Sequence, residues 1–204
     1  MKNIFKLSLH LLLRTILVCI LAVMAVITLG MIGSSNGQIN PVISVIFGVL
    51  YFIMLMYFFI FTSWVEGGKD CNRVAIGKSK QLLSKGFISA AIVVAPIISV
   101  FLLTHFFSDY QNGIMNFLNI LKLIFVWVGI YFTVPFSGGV STTTIDGPKE
   151  LPSEVQLIMT LILCGVYVAA FIGSGVGYIF GYKKISFIPK LTAKILGQNE
   201  NIKK

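Results

Sequence analysis

Long uncharged apolar runs alternate along this chain with short polar interruptions. A mixed segment, Met-Lys-Asn-Ile-Phe-Lys-Leu-Ser-Leu-His-Leu-Leu-Leu-Arg, opens into an uncharged run over 15–32, and further apolar runs cover about 42–64, 87–108, 114–136 and 155–182. A run of about 20 apolar residues crosses the ~30 Å hydrocarbon core of a bilayer as a helix. The pattern therefore predicts an all-α, polytopic transmembrane helical bundle with four full crossings plus one partial or fifth span. A single integral membrane domain fills 1–204, and its last part, 183–204, forms a basic tail.

The basic N-terminal segment also fits the start of a signal peptide, whose apolar region is about 7–15 residues long. The run here is longer and lacks an Ala-x-Ala site, so an uncleaved helix is expected, with 4–13 lying at the interface or extending it. The connection Gly33 to Pro41 is uncharged and rich in turn formers. The second span is loaded with aromatics from Phe47 to Phe61, and Trp64 falls where an interfacial belt would place it. Pro96 sits near the middle of the third span, where it removes a backbone bond and favours a kink, as a packing feature or as the wall of a cavity.

In the last span Gly165, Ala169, Gly173, Gly177 and Gly181 recur every fourth residue. Spacing of four sets them on nearly one helix face, where missing side chains let another backbone approach. The partner of this stripe is a helix of the same chain or of a second copy, and the internal partner is the expectation.

Composition agrees with the pattern: 56% of the residues are hydrophobic and 11% charged, against about 25% charged in soluble domains. The mean hydropathy is +0.92. Sixteen Lys and Arg against seven Asp and Glu leave a net charge of +9. In a soluble chain that excess would raise the question of nucleic acid. Here the cations flank apolar runs, so the expected partner is a bilayer with anionic headgroups, together with other membrane proteins or a second copy, and no nucleic acid.

Fourteen of the sixteen cations lie in three places: the N-terminus, the loop 65–86 and the tail. The positive-inside rule assigns all three to the cytoplasmic face of a cell membrane. Three apolar stretches separate the loop from the tail, and an odd number of crossings would put the tail on the other side. The stretch 114–136 is the candidate for a partial crossing, because it holds Asn116, Asn119 and Lys122 and is flanked by the turn at Asp109 and the acidic segment 137–154. The rival is a fifth span with Lys122 snorkelling. Lys122 is the one ionisable residue within an apolar stretch, and it would pair with Asp109 or a substrate anion if it were functional.

Other chemistry finds little support. Val-Ala-Ile-Gly-Lys-Ser at 74–79 resembles the end of a phosphate loop, but Asn72 stands where the first glycine is required. His10 and His105 have no ligand-type neighbour at helical spacing, and Cys19, Cys71 and Cys164 form no CxxC pair. No catalytic residue, metal site or cofactor is expected. The tail from Lys183 to Leu196 alternates basic and apolar residues, as a segment lying on anionic lipid would, with Pro189 breaking it.

Within the loop, Gly67 and Gly68 are placed to end the second helix. Asp70, Asn72 and Arg73 form the polar group expected to lock the loop. Trp64, Gly67 or Gly68, Lys69, Asp70, Asn72, Arg73, Val74 and then Lys85-Gly86 resemble the loop of an uncharacterised family of small multi-pass membrane proteins from Clostridia and related Firmicutes. That family carries Trp-x-x-Gly-x-Lys-Asp-x-Asn-x-Val followed by Lys-Gly before the next span. The close from Tyr178 to Lys183 is similar to the family's ending, while Cys71 stands where a basic residue is expected. The resemblance implies a bacterial inner membrane and carries no substrate. The expected function is a non-enzymatic partner or accessory subunit of a membrane assembly, with a small transporter or substrate-binding component as the alternative.

Overall fold

A computed structural model describes residues 2–32, 41–77, 82–107, 112–126 and 153–184. Among them every regular element is an α-helix: α1 (Lys2–Ile32), α2 (Pro41–Ala75), α3 (Lys85–Phe106), α4 (Gly113–Phe125) and α5 (Ser153–Tyr182). Four of these, α1, α2, α3 and α5, are long and apolar enough to cross a membrane. At 1.5 Å per residue the 13-residue α4 is about 20 Å long, short of the ~30 Å core. The chain is thus an all-helical bundle of four crossing-length helices and one short one.

Side-chain contacts give the helix directions. The Ser8 hydroxyl of α1 donates to the Ser89 carbonyl of α3 at 3.0 Å, and the Ser89 hydroxyl returns a bond to Ile4 at 3.3 Å, so α1 and α3 start at the same end. Arg14 donates to Thr62, and Tyr51 donates to the Leu21 carbonyl at 3.0 Å, which sets α2 antiparallel to α1. Along α5, Gly177 lies against Ile60 and Gly181 against Trp64, so α5 runs parallel to α2. The beginning of α1, the end of α2, the beginning of α3 and the end of α5 therefore share one end of the bundle. Lys6, Lys69, Arg73, Lys85, Lys183 and Lys184 all belong to these helix ends, while Arg14 lies deeper along α1.

Because α3 ends and α5 begins at the far end, the chain between them starts and finishes on one side of the bundle. Asn112 caps α4, accepting a bond from Met115 N at 3.0 Å, near the far end of α3. It then turns back into the bundle, and its last turn lies beside Pro96 at the middle of α3. Backbone groups at membrane depth must find partners within the protein. Tyr167 of α5 answers this by donating to the Phe125 carbonyl at 2.8 Å, where the helix has no further N–H to offer. The stretch 114–136 is helical over 113–125, and 127–136 lies outside the described residues, as do Asp109, the acidic segment 137–152, the tail beyond 184 and the connection 33–40.

Two sequence expectations change. Helix α1 is continuous from Lys2, so the basic segment extends the first span rather than lying apart from it. Gly67 and Gly68 do not end α2, which runs on to Ala75. The stop comes at Gly77, which adopts φ +69 and donates its N–H to the Val74 carbonyl at 3.0 Å, a left-handed cap open to glycine without strain. Gly67 serves packing instead: a side chain there would collide with the Tyr178 carbonyl and come within 2.8 Å of Tyr182 N. Close approach outweighs the ~1 kcal/mol by which glycine disfavours a helix interior.

The core lies where α1, α2, α3 and α5 converge, around Leu11, Val18, Leu55, Phe59, Phe101 and Tyr167. Outward faces are broadly apolar, as with Ile53 and Tyr57 on α2 or Leu161 and Ile172 on α5. Such surface suits lipid rather than water.

Candidate functional site

The densest chemistry in the described residues sits at the shared helix ends. On α2, Glu66, Asp70 and Arg73 follow one another at helical spacings of four and three, which puts them on one face. That face looks toward the first residue of α3, Lys85, and toward Tyr178 on α5. Asp70 is only 7% exposed and Lys85 only 4%. A buried charge is tolerated when it is paired and hydrogen-bonded, and here both conditions hold.

The Asp70 carboxylate is filled from three sides. Its Oδ2 accepts from Lys85 Nζ at 2.6 Å and from the Tyr178 hydroxyl at 2.8 Å, and its Oδ1 accepts from Arg73 at 2.8 Å. Arg73 also donates to Glu66 Oε1 at 3.1 Å, and Lys85 Nζ stands 3.6 Å from the same oxygen. Lys69 closes the outer side, 3.6 Å from Glu66 Oε2. Lys85 additionally lies 5.9 Å from the centre of the Tyr178 ring, within cation–π range. Three cations and two carboxylates leave the cluster with one positive charge to spare.

Small residues make this geometry possible. The Tyr178 backbone passes between Gly67 of α2 and Gly86 of α3, and a side chain at Gly86 would run into Tyr178 Cβ and come within 2.9 Å of the Ser174 carbonyl. The narrow passage holds the tyrosine hydroxyl at Asp70. One turn earlier, Ser174 donates to the Gly86 carbonyl at 3.1 Å. With its proton committed there, Ser174 accepts from Ser63 of α2 at 2.7 Å. Helices α2, α3 and α5 are therefore joined twice, by a serine relay and by the charge cluster.

Of the glycine stripe, Gly173, Gly177 and Gly181 face α2, where a side chain on Gly177 would lie 2.5 Å from the Ile60 carbonyl. Ala169 is half-buried, while Gly165 meets nothing within 4 Å and faces outward. The stripe's partner is a helix of this chain over its C-terminal part. Asp70 and Arg73 join the cluster as parts of a helix rather than a loop, and Asn72 is exposed on the opposite side of that helix.

Lys122 stands apart, half-buried in the last turn of α4, where the carbonyl end of the helix favours a cation. His10 is exposed, and His105 packs edge-on against Phe106 at 5.3 Å. Cys19 is buried and Cys71 and Cys164 half-buried as free thiols.

Sequence reasoning counted Lys85 as one more loop cation and Glu66 as nothing in particular. The signal was present in the Lys85-Gly86 step and in Tyr178, both within the stretches that carry the family resemblance, but no spacing rule connects residues 15 and 108 positions from Asp70.

The chemistry of the cluster is turned inward, with Asp70 and Lys85 buried against their own partners. Asp70 accepts three hydrogen bonds, all from side chains of the cluster, and the carboxylates and cations pair with one another. Among the described residues no group of three or more His, Cys, Asp and Glu side chains converges on a point. The arrangement clamps three helices at one end. Comparison with known protein families, curated proteins and solved structures finds no match for this chain.

Proposed function

We propose that this chain is a multi-pass protein of a bacterial cell membrane that serves as a non-enzymatic partner or accessory subunit in a larger membrane assembly, with its basic helix ends in the cytoplasm. The engagement of buried Asp70 by Lys85, Arg73 and Tyr178, one from each of three helices, carries this reading. The bonds that Asp70 accepts come from α2, α3 and α5, so the buried charge is spent on joining helices. The orientation is supported by the gathering of the basic residues at one end, where the positive-inside rule applies. The bacterial setting rests on the loop resemblance.

The alternative, a small transporter, calls for a polar cavity at mid-depth beside Lys122. Two grooves lined by α4 are apolar: one, through Leu121 and Phe125, is walled by Phe5, Leu9, Leu12, Ile92, Pro96 and Ile97 with Ser8 as its polar residue, and the other, through Leu123 and Ile124, by Ile16, Cys19, Ile20 and Val23. That favours the subunit reading.

Gentle extraction from native membranes, followed by size separation and mass spectrometry, tests the choice. A partner subunit runs as a complex well above its own 22.5 kDa, with the same second protein in fixed ratio. A lone chain carrying a bound solute would support the transporter instead.

A further inference from the structure

The short α4 fills the cleft between α1 and α3 in only one half of the membrane. In the other half, toward the basic helix ends, the cleft stays open as an apolar groove of about 300 Å³. Phe5 and Leu12 of α1 form one wall, Ile92 and Pro96 of α3 the other, and Leu121 and Phe125 of α4 close its inner end. The Ser8 hydroxyl at its edge is already engaged with the carbonyls of Ile4 and Ser89. Water gains no hydrogen bonds in such a space.

We infer that this groove is a binding site for one acyl chain of an anionic phospholipid from the leaflet on the basic side. Its length carries the assignment. From Phe5 to Leu12 is seven residues of helix, about 10 Å, and from Ile92 to Val100 about 12 Å. That is close to one leaflet of the ~30 Å core, so a spanning helix laid in the groove would collide with α4 half-way, whereas a lipid tail ends there. Charge selects the headgroup: the open end lies at Phe5, which is 68% exposed, and the next residue, Lys6, is exposed beside it at the level of the headgroups. A cation in that position favours an anionic lipid over a zwitterionic one. Proline at 96 fits the same site, since it presents a ring to the groove where a longer side chain would fill it.

The test uses the full chain reconstituted in equimolar phosphatidylglycerol and phosphatidylcholine, then delipidated in detergent and weighed intact by native mass spectrometry. The wild-type protein keeps one phosphatidylglycerol. Lys6→Gln, a surface change, keeps a lipid but lowers its preference for phosphatidylglycerol about fivefold. Ile92→Trp and, separately, Leu9→Trp fill the groove and lose the lipid, with helical content and thermal transition retained as the check on folding. Retention of both lipids without preference, equal retention by the filled variants, or a second protein chain released by them in place of lipid would overturn the assignment.

Discussion

A lysine at the first position of a helix opposes the helix dipole, yet Lys85 holds that position in α3 and is almost fully buried. Asp70 accounts for it. Removing one member of a buried ion pair strands the other, at a cost of about 3–5 kcal/mol, whereas replacing both by uncharged residues is often near neutral. Asp70→Asn and Lys85→Met are therefore each expected to destabilise the bundle by about that amount. The double variant should recover most of the loss, because Arg73 keeps Glu66 at 3.1 Å. Chemical unfolding of the four proteins in the same detergent gives the comparison, and additive losses in the double variant would contradict a clamp made by this pair. The residues of this clamp were only partly legible in sequence. Asp70 and Arg73 stood out as polar residues of a presumed loop, but Lys85 and Tyr178 reach Asp70 through tertiary packing, which local spacing does not encode.

At the scale of elements, the glycine stripe of α5 was legible because a period of four is a property of one helix alone. Its partner was not, and neither was its effective length: Gly177 is pressed against the backbone of α2, while Gly165 carries the same spacing but faces open surroundings. A single added methyl group separates the two cases. Gly177→Ala places a Cβ 2.5 Å from the Ile60 carbonyl, which no rotamer can relieve. The helices must move apart at a cost of about 1–3 kcal/mol. Gly165→Ala meets no atom within 4 Å and gains helix propensity, so it should be neutral or stabilising by up to about 1 kcal/mol. Thermal unfolding of the two variants against wild type reads the opposite signs directly. The end of α2 was misread for a related reason. Two adjacent glycines signal a helix stop when only the local chain is considered, but Gly67 is required by the passage of Tyr178, and the true stop is Gly77 with its positive φ.

For the whole molecule, the charge distribution and the helix count posed one problem together: three basic regions wanted one side, and five apolar stretches could not deliver it. Among the described residues, α3 and α5 run in opposite directions, which brings the described ends carrying Lys85 and Lys183 to one side. Helix α3 leaves the basic end and α5 returns to it, with the short α4 joined to α5 where Tyr167 donates to the Phe125 carbonyl. The described ends of α1, α2, α3 and α5 then make a prediction about sidedness that does not depend on which compartment they face. In a background with Cys19, Cys71 and Cys164 replaced by alanine, single cysteines at Lys6, Lys69 and Lys183 should all be labelled by a membrane-impermeant maleimide from one side of sealed vesicles. A cysteine at Gly113, where α4 begins, should be labelled from the opposite side. If Lys69 and Lys183 were labelled from different sides, the stretch after α3 would cross completely and α5 could not lie parallel to α2, so the glycine contacts from Gly173 to Gly181 would fail with it. Sidedness and helix packing are in this way one measurement, because the parallel pairing of α2 and α5 is possible only with an even number of crossings between their basic ends.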